Sequence, residues 1–424
     1  MNQSMAMQQP MRVGMSFDKL RNYAVWLMFA ISFVVTIEPA PVDVMFILVF
    51  LCFLRSGLSI TIGAAPLALF LILYNIGGFV SFIEVSNERK AVMFVFTSSY
   101  MAITGVVLSY YIAHDPMERF KYVKSGLCVG AFIAACFGLL DYFDIGGLIP
   151  HGNIAGRATG LFKDPNVFST YLIFPAIMLI QGLMLGTTKR KFLSLVGLLT
   201  IIIALFLAFS RGAWINFAGA ALLLVALTYI VNSQDGMRSR IMLSVIAGAF
   251  VTVAGVGFML SFPEIRETFI ERFSLFQTYD AGETGRFGIQ LNSIPVLLGR
   301  PFGFGPTYFR IIFGQDPHNT FLNAFASYGW LGGISFFCMI ISTLIIGVRT
   351  VFTRTPWQNM AIVVFCPLLT TILQGVQIDT EHWRHFYWML GLMWGLFAAT
   401  LQPSAVIGGW AAIGMPQRDR LVTR

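Results

Sequence analysis

Long apolar segments recur along the whole chain, separated by shorter polar stretches. A membrane-spanning helix needs about 20 mostly apolar residues, within a range of roughly 17–25. The pattern therefore predicts an all-α polytopic membrane protein with about twelve transmembrane helices, in which the boundary between the first two is the least sharply defined. The predicted helices cover residues 22–37, 40–54, 62–83, 91–113, 124–140, 167–186, 192–209, 212–232, 240–262, 319–347, 357–375 and 385–401.

The positive charges fall mainly on one side of these predicted helices. Lys and Arg concentrate in loops that stay in the cytoplasm. With the N-terminus inside, seventeen of the 28 Lys and Arg residues lie in inside segments, and five of the others share one long outside loop, which the rule discounts. Both termini are therefore predicted to be cytoplasmic, as a tail of residues 1–21 and a tail of residues 402–424.

Two of the predicted outside loops are long. The first covers residues 141–166. The second covers residues 263–318 and separates the first nine helices (22–262) from the last three (319–401), so it is the only segment large enough for a small periplasmic subdomain. Its first residues carry apolar side chains at helical spacing, which predicts an amphipathic helix at the membrane surface. These apolar residues are Ile265, Phe269, Ile270, Phe273 and Phe276.

The composition supports a membrane location. The chain is 57% hydrophobic and 11% charged, whereas soluble domains have roughly 25% charged residues. The net charge of +8 is explained by the cytoplasmic loops, so we do not expect nucleic-acid binding. The five cysteines lie within apolar runs without metal-ligand spacing and are interpreted as buried hydrophobic residues. No cleavable signal peptide is evident before the first apolar run.

Two arginines on the predicted outer side are the first candidates for chemistry. Arg211 lies in a very short loop between two apolar helices, where a lone charge is costly and tends to be functional; the alternative is an interfacial anchor. Arg286 lies where the long loop begins to return to the membrane. A guanidinium suits bidentate contact with phosphate or carboxylate. Arg266 and Arg272, in contrast, are explained by pairing with Glu residues on the same helix face.

A histidine and two further polar groups lie on the same side. His318 stands at the outer end of a predicted helix, where an imidazole can take a proton from a hydroxyl; a capping or packing role is the alternative. Arg157 and Lys163 add positive charge in the first long loop. The last outer loop is interpreted as a salt-bridged loop rather than as a polar lining of the site. It contains Gln377, Asp379, Glu381, His382, Arg384 and His385.

Several enzyme signatures are missing from the sequence. We find no nucleotide phosphate loop, dinucleotide fingerprint, serine-hydrolase elbow or zinc-protease motif, and no cluster of acids that marks a divalent metal site. The candidate groups are therefore outward-facing arginines and one histidine beside lipid. This set fits transfer from a lipid-linked phosphate donor, in which arginines hold a diphosphate leaving group and a histidine activates a hydroxyl acceptor.

Five short motifs, in this order, resemble those of the O-antigen ligases and of the related O-antigen and exopolysaccharide polymerases. They span roughly residues 155–335 within a matching twelve-helix layout, and their order and sidedness carry the resemblance. One residue departs from the pattern, because Ser327 stands where many members have an acid. The motifs are the stretch from Arg157 to Asn166, Ser-Arg-Gly at 210–212, Gly-Arg at 285–286, Gly-Phe-Gly-Pro at 303–306, and His-Asn at 318–319 followed by Gly-Trp-Leu-Gly at 329–332.

The resemblance implies a GT-C-like glycosyltransferase of the bacterial inner membrane that works without metal or other cofactor. Its donor would be a glycan on undecaprenyl diphosphate, and its acceptor a saccharide. Arg211 and Arg286 would bind the diphosphate and His318 would be the base. The residues that would contact donor or acceptor are Arg157, Lys163, Asn166 and Asn319.

Three functions remain open at this point. We favour the ligase, which transfers the glycan to a sugar of the lipid A-core. The nearest alternative is the polymerase, which joins the glycan to another lipid-linked repeat unit. A transporter of lipid-linked sugars is a third possibility, although the chain shows no obvious internal repeat and its charges cluster at one face rather than at the membrane midplane.

Overall fold

The computed structural model describes residues 17–56, 61–85, 88–147, 156–232, 235–273, 282 and 285–401. The regular secondary structure in these ranges is entirely helical, and the α-helices are numbered in chain order. They are α1 Phe17–Ala30, α2 Pro41–Ser56, α3 Ala65–Val80, α4 Phe82–Val85, α5 Arg89–His114, α6 Pro116–Tyr142, α7 Pro165–Met184, α8 Lys191–Leu207, α9 Arg211–Val231, α10 Asp235–Leu260, α11 Pro263–Phe273, α12 Arg286–Leu298, α13 Phe309–Phe313, α14 Thr320–Phe352, α15 Gln358–Gln374 and α16 Arg384–Thr400.

Every predicted transmembrane segment overlaps at least one of these helices. Within the described residues, seven helical segments are long and apolar enough to cross a membrane, and α8 and α15 are shorter apolar helices. The apolar helices indicate a multi-pass membrane protein, whereas the count of twelve stays a prediction. Residues 1–16 of the predicted N-terminal tail and all of residues 402–424 lie outside the described part of the chain.

The first predicted segment differs from the helix that forms. It was expected to extend to residue 37, but α1 ends at Ala30. The backbone N–H of Val35 donates to the carbonyl of Leu161 at 3.0 Å. This bond ties the chain after α1 to the loop between α6 and α7, and residues 31–40 form a non-helical connection to α2.

The helices pack closely where small residues meet. A Cβ added at Gly391 of α16 would lie 2.3 Å from the carbonyl oxygen of Gly105 in α5, so only glycine permits this approach of the two backbones. Such small-residue contacts are typical of membrane helices, because lipid supplies no hydrophobic force that drives them together. In contrast, α10 is almost entirely unburied, which suits a helix surrounded by lipid.

The long loop of residues 263–318 contains three helices, with residues 274–281 and 283–284 outside the described part. As predicted, its first residues form an amphipathic helix, α11. Its Phe269 ring stacks against Phe206 of α8 and Trp214 of α9, with ring centroids 5.8 and 5.5 Å apart. Ile270 and Phe273 are exposed. Phe276 lies outside the described residues, and the placement of α11 at the membrane surface stays a prediction.

A kink in α14 lies where two of the sequence motifs meet. Gly329 interrupts the helix with φ 65° and ψ −167°, and a Cβ there would lie 2.5 Å from the Pro301 carbonyl. The turn at residues 301–306 docks on this kink. The N–H of Trp330 donates to Pro301 at 2.9 Å, and the N–H of Phe304 donates to the carbonyl of Ala326 at 2.7 Å. The kink thus attaches the long loop to α14.

Candidate functional site

The first half of the candidate site is the arginine junction, defined as residues 156–166 together with residues 207–214. Ser210 ends the turn after α8 and caps α9, because its Oγ accepts from the N–H of Ala213 at 3.4 Å. Arg211 is therefore the first residue of α9 and is half-buried. The N–H of Ala158 donates to the carbonyl of Leu207 at 3.0 Å, which packs the first long loop against this turn.

Asn166 joins two candidate residues in the arginine junction. Its Oδ1 accepts from Ser210 Oγ at 2.8 Å and from Arg157 Nη2 at 3.0 Å. Arg157 also donates through Nε to the carbonyl of Ala208 at 2.8 Å. These bonds hold the Arg157 guanidinium beside the start of the helix that Arg211 begins, and the group that joins them is a neutral amide.

Lys163 has a different place. It forms an ion pair with Glu38 in the loop between α1 and α2, and both side chains are more than half exposed. Exposed ion pairs contribute about 0–1 kcal/mol. Within the described contacts, the Lys163 side chain is thus held at the loop between α1 and α2 and not by the bonds through which Asn166 joins Arg157 to Ser210.

The second half of the candidate site is the histidine loop, defined as residues 316–320 together with residues 374–382. The two oxygens of Asp379 accept from the backbone N–H groups of His318 and Asn319, at 3.1 and 2.9 Å. His318 has φ 49°, a conformation that costs of order 1–3 kcal/mol for a residue other than glycine. The carboxylate of Asp379 therefore helps to hold the strained backbone that orients the imidazole.

Asn319 is used in building this loop. Its Oδ1 caps α14 by accepting from the N–H groups of Phe321 and Leu322, both at 3.1 Å. Its Nδ2 donates to the carbonyl of Val376 at 3.3 Å. The next residue, Thr320, donates its N–H to the carbonyl of Gly375 at 2.7 Å. The start of α14 is thus held against the end of α15.

Arg286 reaches the same loop from α12, of which it is the first residue. It is half-buried, and its Nη1 donates to the carbonyl of Gln377 at 3.3 Å. One turn later, Gln290 Nε2 donates to the carbonyls of Pro317 at 2.9 Å and His318 at 3.3 Å. Helix α12 therefore brings Arg286 to the loop that holds the His318 backbone.

A buried amide network connects the arginine junction to the histidine loop. Asn216 of α9 donates to Gln374 Oε1 at 2.6 Å and accepts from Thr370 Oγ1 at 2.6 Å. A Cβ at Gly212 would lie 3.0 Å from Gln374 Nε2. The residue after Arg211 therefore packs against the last residue of α15, directly before Gly375 and the histidine loop.

The described contacts join six of the seven predicted site residues to these two regions, Arg286 through its bond from α12, whereas the Lys163 side chain pairs with Glu38 at the edge. Sequence reasoning missed the residues that hold them, chiefly Asp379 and Gln374. The polar cluster at residues 377–385 was the available signal, and it was interpreted as a salt-bridged loop. Only part of that interpretation agrees with the contacts: Arg384 pairs with Asp43 of α2 at 2.7 Å, whereas Asp379 binds backbone.

The histidine loop is acidic on its inner side. Glu381 is 1% exposed, and its Oε1 accepts from Asn323 Nδ2, while Asn323 Oδ1 accepts from Ser327 Oγ at 2.8 Å. Burial raises the pKa of Asp379 well above its usual range, and repulsion by the nearby Glu381 carboxylate raises it further. The hydrogen bonds from the backbone N–H groups of His318 and Asn319 oppose that shift. Among the described residues, no group of three or more His, Cys, Asp or Glu is placed to hold a metal ion.

Comparison with known proteins agrees with the motifs. A family model described as O-antigen ligase matches residues 196–337, which extend from α8 into α14. The match includes Arg211, Arg286 and His318, and it confirms the family resemblance found in the sequence. Arg157 and Asn166 lie outside the matched residues. None of the curated proteins compared with the chain matches it.

Proposed function

Because residues 196–337 match the O-antigen ligase family, we propose that this protein is an O-antigen ligase-like glycosyltransferase. It moves a glycan from undecaprenyl diphosphate to a sugar hydroxyl of the lipid A-core. The reaction takes place on the periplasmic face of the inner membrane, and both termini of the protein lie in the cytoplasm.

One observation carries the proposal. Arg211 and Arg286 are each the first residue of a helix, and neither α9 nor α12 has an acidic residue in its first turn. The N-terminus of a helix carries partial positive charge and favours anions. A guanidinium there adds charge of the same sign, so both positions gain stability when an anion binds. A lipid-linked diphosphate is an anion with enough oxygens for both forks.

The proposed reaction is a displacement at the anomeric carbon of the donor sugar. The acceptor hydroxyl forms a new C–O bond while the bond from that carbon to the diphosphate breaks, and undecaprenyl diphosphate leaves. His318 takes the proton of the hydroxyl. Arg211 and Arg286 stabilise the charge that develops on the leaving group, which is the part of the reaction where fixed positive groups lower the barrier.

The glycans of the native host test this function. The gene would be deleted and the strain complemented with the wild type, with His318→Ala, and with His114→Ala, an exposed histidine at the far end of α5 as the matched control. We expect full-length glycan to accumulate on undecaprenyl diphosphate, with a bare lipid A-core, in the deletion and in His318→Ala. The control should restore capped lipopolysaccharide.

Other outcomes would change the proposal. If single repeat units remain and long polymer disappears, the protein is the polymerase instead. If His318→Ala restores normal lipopolysaccharide, the histidine is not the base. A purified preparation should keep its activity in EDTA, and strong inhibition that added metal reverses would contradict the metal-free reaction.

A further inference from the structure

A cavity of about 260 Å³ lies beneath the histidine loop. Polar and aromatic side chains from four parts of the chain surround it. Its polar side chains include Arg310, Asp316, Asn323, Asp379 and Glu381, and its aromatic rings are those of Phe94, Phe309 and Trp383. Pro317 also lines it, so the cavity begins one residue from His318.

The buried carboxylate of Glu381 is only half satisfied in this cavity. Its Oε1 accepts from Asn323, but its Oε2 has no hydrogen-bond partner among the described residues. Leaving a buried charged acceptor without a partner costs about 1–3 kcal/mol or more. A group that persists at this cost, 1% exposed and lining a cavity, points to a donor that arrives with a ligand.

The neighbouring His382 does not supply that donor. Its Nε2 lies 3.2 Å from the carbonyl of Phe94, which only accepts, so Nε2 carries the hydrogen in the neutral ring. Its Nδ1 lies 3.7 Å from Glu381 Oε1, beyond hydrogen-bond distance, and on the side of the oxygen that Asn323 already serves. Glu381 Oε2 therefore has no partner among the described side chains, in a residue that lines the cavity.

We propose that this cavity binds one sugar ring of a saccharide substrate, an inference that rests on the glycosyltransferase function. Hydroxyls form short, strong hydrogen bonds to carboxylates, and the Glu381 carboxylate accepts one of them. The apolar face of the ring lies against the aromatic side chains. Small-molecule pockets commonly measure about 300–1,000 Å³, so about 260 Å³ fits one ring rather than an oligosaccharide.

The position of the cavity relates this ring to the reaction. Asp379 both lines the cavity and binds the N–H of His318. A ring seated there places its hydroxyls beside the segment that carries the proposed base. The ring belongs either to the donor glycan or to the acceptor saccharide, and the two are distinguished by kinetics.

The test uses purified full-length protein in liposomes, with undecaprenyl diphosphate-linked glycan and lipid A-core from the native host as the two substrates. Initial rates are measured while each substrate is varied. Glu381→Gln should raise the KM for one substrate about tenfold or more, because a hydrogen bond to a charged group is lost, and kcat should change less than about threefold. The substrate whose KM rises is the one whose ring occupies the cavity.

A second variant guards against misfolding of the first. Asp316 lies at the rim with its side chain 49% exposed, so Asp316→Trp narrows the opening without entering the Glu381–Asn323 network. It should raise the same KM. Glu264→Gln, an exposed acid of α11, is the matched control and should change neither constant.

The results distinguish a failure of the proposed ligase function from a failure of the sugar subsite. Wild-type protein that transfers nothing to lipid A-core contradicts the proposed ligase function. Wild-type protein that transfers normally, with both KM values unchanged within about twofold in Glu381→Gln and Asp316→Trp, overturns the sugar subsite alone. A loss confined to kcat in Glu381→Gln also overturns it, because a binding subsite acts through KM.

Discussion

The arginine junction and the histidine loop lie at the same end of the bundle, but different kinds of hydrogen bond hold their candidate residues. In the junction, one side chain joins two others, because Asn166 binds both Ser210 and Arg157. In the loop, side chains hold backbone, since Asp379 binds two consecutive N–H groups. The junction therefore depends on which residues are present, whereas the loop depends on the path of the chain.

The two regions also differ in charge. The junction contains Arg157 and Arg211, and the group that binds Arg157 there is the neutral amide of Asn166, whereas Asp316, Asp379, Glu381 and Arg310 line the cavity of the loop. A diphosphate is attracted to the first environment, while the carboxyl groups of the second suit sugar hydroxyls. The comparison agrees with the proposal that the diphosphate contacts the junction and Arg286 at the edge of the loop, and that saccharide occupies the cavity.

The largest expected effect comes from breaking the path of the chain at the kink of α14. Gly329→Ala adds a Cβ at 2.5 Å from the Pro301 carbonyl, at φ 65°. We expect a loss of at least about 3 kcal/mol in the free energy of unfolding, from the left-handed backbone and the overpacking together, and loss of glycan transfer. Thermal unfolding in detergent and cellular protein levels measure it.

Gly314→Ala is the matched control for the kink. Gly314 also has a positive φ, 81°, but nothing lies within 4 Å of an added Cβ. It should cost about 1–2 kcal/mol and keep activity. Equal losses in the two variants would show that the docking of residues 301–306 on α14 does not matter for stability.

The next effect distinguishes a fork from a bare charge in the arginine junction. Arg211→Lys keeps the positive charge but loses the planar pair of donors, and we expect transfer to fall about 100-fold, in the range seen when one donor to a developing charge is removed. Arg266→Lys, an exposed arginine of α11, is the control. Full activity in Arg211→Lys would mean that a point charge suffices.

A smaller effect tests the amide that joins the junction. Asn166→Ala removes the acceptor that Ser210 and Arg157 share, and we expect about 1–3 kcal/mol of lost stability with transfer reduced about tenfold. Asn166→Asp keeps the acceptor oxygen and adds a negative charge. It should retain stability but lose activity, because its carboxylate competes with the diphosphate for the guanidinium groups. Normal transfer in Asn166→Asp would separate Arg157 from phosphate binding.

Periodicity and charge placement predict much of this architecture from the sequence. Helices form at every predicted span because apolar runs of that length have few alternatives in lipid. Arg211 stands out for a similar reason, since a lone charge between two apolar helices needs an explanation. The first span was overestimated because the bond from Val35 to Leu161 is a long-range contact, which no local pattern reports.

The support of the histidine loop was not predictable in this way. Asp379 binds N–H groups about sixty positions earlier in the chain, and Glu381 lines a cavity that forms only when residues of α5, α14 and the long loop come together. In sequence both acids look like parts of a charged surface loop. A carboxylate that binds backbone N–H groups can pair with any residue, so no sequence pattern identifies its partner. Only the fold distinguishes such a carboxylate from an exposed acid.

The smallest effect is a dependence of stability on pH, and it tests whether the loop is held through Asp379. Burial raises the pKa of this carboxyl, so the folded protein binds its proton more tightly than the unfolded chain does. The stability from that proton is complete below the usual pKa of Asp and is lost as the pH rises through the raised value. We expect the Tm in detergent to fall with rising pH more steeply for the wild type than for Asp379→Asn, by about 2 °C between pH 4 and 8.

Asp316→Asn, which changes an exposed acid of the same loop, is the control and should keep the wild-type slope. If Asp379→Asn keeps it as well, the carboxyl titrates as an exposed acid does, and the strained backbone at His318 is held by Gln290 and Thr320 instead.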